Sequence, residues 1–107
     1  MREHWFTAAD GTRLFARDVG PMDARTTPLL CLAGLTRHSL DFEPVFESFG
    51  NNRRVIALDF RGRGNSARAE DPQTYRPDIE LQDAIGFLRH LGVTRVALLG
   101  TSRGGIV

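Results

Sequence analysis

Three short apolar runs punctuate the chain: Pro28-Leu29-Leu30-Cys31-Leu32-Ala33, Val55-Ile56-Ala57-Leu58 and Val96-Ala97-Leu98-Leu99. Unbroken rather than alternating hydrophobicity over so short a span marks strands covered on both faces, as in a parallel sheet. Between the runs the apolar spacing changes to that of a helix. Phe42, Val45, Phe46 and Phe49 share one helical face, with Ser39 or Asp41 as cap, Pro44 in the first turn and Gly50-Asn51-Asn52 as the stop. A second helix opens at Pro77-Asp78 and closes at Gly92. Its Ile79, Leu81, Ala84, Ile85, Leu88 and Leu91 form a stripe that predicts packing on a sheet. Val93 to Leu99 then leads into the strand read from the third run. Ahead of the first run, His4–Thr7 and Thr12–Val19 read as two strands joined at the hairpin signal Asp10-Gly11. The two faces of the second differ little, since Leu14, Ala16 and Asp18 alternate with Arg13, Phe15 and Arg17. Gly20 to Arg25 reads as a loop. Buried strands alternating with one-faced helices predict an α/β fold with right-handed crossovers.

Composition narrows the picture. The 107 residues suit at most one domain, and 41% hydrophobic with 25% charged residues is an ordinary globular balance. A formal net charge of +1, carried on arginine with no lysine, gives no footprint for nucleic acid or a membrane surface. No run approaches the length of a membrane span. Only Trp5-Phe6 follows Met1-Arg2-Glu3-His4 before polar residues return, so no secretory leader is expected, and the single cysteine, Cys31, suits a reducing, cytoplasmic setting. Cys31 lies inside an apolar run and is expected to be a small buried hydrophobe rather than a reactive thiol.

The third run leads directly into Gly100-Thr101-Ser102-Arg103-Gly104. A Gly-x-Ser-x-Gly turn between strand and helix holds its serine in a tight, strained bend with the hydroxyl outward, and a Cβ at either flanking glycine would strike neighbouring backbone. The first N–H groups of the following helix lack partners within it and are aimed at the same place, where they stabilise a developing oxyanion. After the second run comes Asp59-Phe60-Arg61-Gly62-Arg63-Gly64-Asn65-Ser66. Its Gly62-x-Gly64-x-x-Ala67 matches the loose dinucleotide pattern, but no helix begins at once and the strand is the wrong one, so a tight structural loop is the better reading.

With Leu32-Ala33-Gly34-Leu35-Thr36 after the third strand, the Asp59–Ser66 loop and the serine elbow in this order, the chain resembles the α/β-hydrolase family, in its serine-nucleophile, esterase- and lipase-like branch. The resemblance implies a three-layer α/β-hydrolase fold, of which this chain looks like the N-terminal portion with strands 1–5: one partial domain over residues 1–107. It implies Ser102 as nucleophile, Gly100 and Gly104 as the elbow glycines, and the backbone N–H groups of Leu35 and Arg103 as the oxyanion hole. One such donor contributes about 3 kcal/mol to transition-state stabilisation. Ala33 stands where the family usually has histidine; the Leu35 N–H survives that change, while the histidine's support of the loop is lost. The family's dehalogenases and epoxide hydrolases carry aspartate at the elbow, so Ser102 argues against both.

The family's acid and histidine follow the nucleophile in chain order, whereas His4, His38 and His90 all precede Ser102. His4 is expected at the surface of an edge strand and His90 in solvent at a helix C-terminus; His38, in the loop after the first apolar run, is the one placed to face the site. The expected function is hydrolysis of a small carboxylic ester, thioester or lactone through a Ser102 acyl-enzyme, with no metal or cofactor, in a longer form than this chain, which alone is expected to be nearly inactive. Carbon–carbon bond hydrolysis belongs to the same branch. The rival is a non-catalytic remnant or interaction module, including a split protein completed by a C-terminal partner chain.

Overall fold

A computed structural model describes residues 2–21, 27–32, 43–49 and 53–100. Five strands, β1 (Arg2–Thr7), β2 (Arg13–Val19), β3 (Leu29–Leu32), β4 (Val55–Asp59) and β5 (Ala97–Gly100), form one sheet in the order β1-β2-β4-β3-β5. β3, β4 and β5 are parallel; β1 and β2 run antiparallel to their neighbours, so the sheet is mixed. Among the described residues two α-helices cover it, α1 (Glu43–Phe49) and α2 (Pro77–His90).

The double-sided burial anticipated for the apolar runs holds throughout β3 and β4. Leu30, Leu32, Ile56 and Leu58 face Ala84 and Phe87 of α2, together with Leu14 and Ala16 of β2. Leu29, Cys31, Val55 and Ala57 meet Phe46 of α1 on the other side. These are three layers, helix, sheet and helix, each helix closing one face. Cys31 is fully buried, and burial pushes its thiol up to about 12, which leaves it a packing residue.

The hairpin forms as expected, with Gly11 at φ +88° after a turn closed by Gly11 N–H to the Ala8 carbonyl. Pro77 starts α2 and Gly92 ends it at φ +74°, where the N–H of Val93 reaches the Leu88 carbonyl in a Schellman cap.

Two expectations are corrected. The buried face of α2 is Glu80, Asp83, Ala84 and Phe87, while Leu81 and Ile85, placed in the stripe, are 42% exposed. The helix is rotated because Asp83 finds a buried cationic partner, described below. The third run forms β5 one residue further along, as Ala97–Gly100: β3 begins at Leu29, opposite Ala97, so earlier residues have no strand to pair with. His4 is not a free surface residue, because its Nε2 lies 2.9 Å from the Asp18 carboxylate. The two faces of β2 are alike, as its sequence implies: Phe15 is buried against Trp5, and the Arg17 guanidinium lies over the Phe15 ring. Phe42 and the Gly50–Asn52 stop fall outside the described residues, as does any part of the first helix before Glu43.

Candidate active site

Leu32 is the middle rung of the parallel sheet, paired with Leu58 of β4 on one side and Gly100 of β5 on the other. The carboxyl ends of all three parallel strands therefore finish level. The segment after Leu32 and the segment after Gly100 leave the sheet from adjacent positions, 4.7–4.9 Å being the usual spacing of neighbouring strands. The connection from β3 leads to β4 on one side, and the connection from β4 crosses β3 to reach β5 on the other. β3 and β5 thus flank the point where the winding reverses, and in open α/β sheets ligands bind at the carboxyl ends of the strands there.

Gly100 is the one elbow residue within the described part, as the last residue of β5. Leu35, His38, Ser102, Arg103 and Gly104 lie outside it.

The loop after β4 is described in full and is tightly tied. The Asp59 carboxylate accepts the N–H of Asn65 at 3.0 Å. Ser66 Oγ donates to the Asp59 carbonyl at 2.6 Å and accepts the Phe15 N–H at 2.9 Å, fastening the loop to β2. Gly64 has φ +52°, and a Cβ there would run into the Asp59 carboxylate; at Gly62, with φ +75°, a Cβ would come within 2.7 Å of the Tyr75 ring. Both glycines are thus required by backbone conformation and by space. The structural reading of this motif is the one its geometry matches.

Arg61 is the centre of the loop and is 1% exposed. Its Nε and one terminal nitrogen donate to both oxygens of Asp83 on α2, at 2.7 and 2.8 Å, and its other terminal nitrogen donates to Asp10 in the hairpin turn at 2.7 Å. Two-pronged pairing of this kind is the strong form of the arginine–carboxylate contact. The Arg61 hydrogen bond holds the Asp10 carboxyl down to about 2. Burial pushes the Asp83 carboxyl up, against the pull of Arg61. The three groups join the hairpin turn, the β4 loop and α2 at the end of the sheet where the strands finish. Neither aspartate was singled out from sequence: Asp10 reads as a turn former, and Asp83 as a polar residue between apolar helix positions.

A second cluster lies at the opposite end. Asp18, fully buried, accepts Arg54 at 2.8 Å, Arg2 at 3.1 Å and His4 at 2.9 Å. Burial pushes its carboxyl up, but the hydrogen bonds of Arg54, Arg2 and His4 outweigh that and hold it below its usual value. His90, exposed at the C-terminal end of α2, packs on the rings of Phe6 and Phe87. His4, tied to Asp18, lies at the opposite end of the sheet, and His90 packs against β1, the edge strand on the far side of the sheet from β5. Among the described residues no group of three or more His, Cys, Asp and Glu side chains is gathered to hold a metal ion, and no helix is long and apolar enough to cross a membrane.

A mixed sheet with helices on both faces, its winding reversing between β3 and β5, defines an α/β protein. The model of the α/β-hydrolase fold family matches residues 27–107, and the chain belongs to that family, as an N-terminal portion of its fold. It is 40% identical to an α/β hydrolase from Novosphingobium aromaticivorans, with a TM-score of 0.90 over 98% of this chain and 36% of that one. It is 34% identical over 79 residues to a 3-hydroxybutyrate-oligomer hydrolase of Cupriavidus necator and 32% identical over 83 residues to epoxide hydrolase 3 of Xenopus tropicalis. These alignments take in 74% and 78% of this chain but only 27% and 23% of the relatives, so the chain spans about a quarter of their length.

Proposed function

We propose that the protein is a serine hydrolase acting on a small carboxylic ester, thioester or lactone, with Ser102 as the nucleophile. The observation that carries this reading is the pairing of Leu32 with Gly100. It sets the start of the Ala33-Gly34-Leu35 segment beside the start of the Gly100-Thr101-Ser102-Arg103-Gly104 elbow, at the level where the parallel strands end. Two backbone donors, from Leu35 and Arg103, then converge on the carbonyl oxygen while the Ser102 hydroxyl attacks the carbonyl carbon. The bond to the leaving group breaks, an acyl-enzyme forms, and water hydrolyses it. The proton of Ser102 passes to a histidine oriented by an acid, both of which in this family follow the nucleophile in chain order. No metal or cofactor takes part, and the substrate is a small molecule rather than a nucleic acid or a membrane, met in the cytoplasm.

Serine at the elbow favours acyl transfer over the chemistry named for the epoxide-hydrolase relative, and the name of the Cupriavidus necator relative is in keeping with a hydrolase of this branch. The 107-residue chain alone turns over an ester little above background. In the protein at its full natural length, Ser102→Ala lowers kcat/KM for p-nitrophenyl butyrate by at least about a thousandfold. Undiminished turnover by Ser102→Ala overturns the reading. One observation favours a second reading, a non-catalytic interaction module: Ala33 occupies the family's usual histidine position. That reading requires that the full-length protein fold and bind without Ser102-dependent turnover.

A further inference from the structure

The edge of the sheet away from the candidate site is β1, paired only with β2 among the described residues. Across the hairpin the Ala8 N–H donates to the Thr12 carbonyl at 2.8 Å, and the register runs without a bulge from Thr7 back to Arg2. By strand alternation the backbone groups of Phe6, His4 and Arg2 are turned to β2, and those of Thr7, Trp5 and Glu3 to the free edge. The same three residues carry their side chains, exposed, on the face away from α2. Natural edges are blunted by proline, by a bulge or by unbalanced charge. β1 has neither proline nor bulge, and its charges are answered within its own chain, Arg2 and His4 by Asp18 and Glu3 by Arg17 at 3.6 Å. Trp5 stands at the middle of this edge, 42% exposed, with the Arg13 guanidinium 4.9 Å above its ring. Arg13 is itself exposed and has no carboxylate partner among the described residues.

We propose that the occupant of this edge is β1 of a second copy, laid antiparallel across a two-fold axis at Trp5, so that the two sheets become one. Residues with outward backbone groups must face residues of the same kind, or donors and acceptors do not meet, and this leaves few registers. An axis at His4 sets the two imidazoles against each other and Arg2 against Phe6. An axis at Trp5 pairs Trp5 with Trp5 and Glu3 with Thr7 on one face, and His4 with Phe6 on the other. Thr7 is in turn the register partner of Arg13 on β2. Glu3 of one copy therefore lies on the same face as Arg13 of the other, one strand apart. The unpaired cation of each copy gains a carboxylate, twice by symmetry, and both Trp5 rings leave water. That charge match is what selects a second copy of this chain over an unrelated strand. The main-chain groups of Glu3, Trp5 and Thr7 find partners at the same time, as in strand addition to a sheet edge. The chain itself leaves the sheet from β5, at the opposite edge.

The test is sedimentation velocity and amide exchange on the protein at its full natural length. It sediments as a dimer that dissociates on dilution, and in the dimer the amides of Glu3, Trp5 and Thr7 exchange at least about tenfold more slowly than in the monomer. Thr7→Pro removes an outward N–H without breaking a bond to β2, so it weakens the dimer at least about tenfold and moves the Tm of the monomer by no more than about 2 °C. Arg13→Glu and Glu3→Arg each weaken the dimer about three- to tenfold, and the two together restore it. A protein that stays monomeric at about 100 μM overturns the proposal. So does a dimer that Thr7→Pro leaves intact, or one that the paired charge reversal fails to restore. Slow exchange of the three amides in a monomer overturns it too, because a segment of the same chain then covers the edge. None of these readouts requires turnover, so failure of the hydrolase reading and failure of the dimer are separable.

Discussion

The two ends of the sheet solve the same problem with opposite charges at the centre. At the carboxyl end a buried cation, Arg61, is shared by two carboxylates, Asp10 and Asp83. At the amino end a buried anion, Asp18, is shared by Arg54, Arg2 and His4. The first joins two loops to a helix; the second joins the edge strand β1 to β2 and to the residue just before β4. The difference lies in what each centre has to hold. The carboxyl end must fix irregular backbone next to the candidate site, and a guanidinium has five donors in a rigid fork for reaching several loops at once. The amino end has only to anchor a strand already hydrogen-bonded to its neighbour, and its cations keep partial access to solvent, with the Arg2 side chain 35% and His4 23% exposed.

The comparison is broken most forcefully at Arg61. Arg61→Leu strands Asp83, 4% exposed, without a counter-charge and costs about 3–5 kcal/mol, read by urea denaturation. Adding Asp83→Leu to that variant recovers a large part of the loss, because the stranded charge goes with it. Asp18→Asn costs less, about 1.5–3 kcal/mol, because two of the three cations it leaves behind turn to water.

The smallest effect separates the ends by pH. Asp10 and Asp18 have carboxyls held below their usual values, so their ionised forms favour the fold. Their contribution is complete above about pH 4, the unfolded carboxylate range, and is lost as the pH falls through that value toward 2. Asp83 is shifted upward by burial and has the opposite sign: protonating it relieves a cost, which partly offsets the loss of Asp10 at the same end. The acid limb of Tm against pH is therefore flattened by Asp10→Asn and by Asp18→Asn but steepened by Asp83→Asn. Flattening by all three variants would remove the asymmetry between the two clusters.

Much of the fold was legible because its strands are extreme cases. Pro28–Ala33 and Val55–Leu58 carry apolar side chains on both faces, and only a sheet covered twice accepts that. Asp10-Gly11, Pro77 and Gly92 marked boundaries because each solves a local backbone problem without reference to distant residues. What failed depended on distant partners. Periodicity placed Leu81 and Ile85 against the sheet, but Asp83 turns inward to meet Arg61, 22 residues away in sequence, and the helix rotates with it. His4 read as a surface residue because its partner, Asp18, lies across the hairpin. At the candidate site, the elbow and the segment after Leu32 were legible as motifs, while their adjacency is a matter of register, which no local pattern encodes.

The central claim is that a nucleophilic serine follows β5 at the carboxyl end of the parallel strands. Its most direct test is to treat the protein from its native source with a serine-directed fluorophosphonate and locate the adduct by peptide mass mapping. The account predicts a single phosphonyl adduct on Ser102, absent after heat denaturation and in Ser102→Ala. A folded protein that leaves Ser102 unmodified would contradict it.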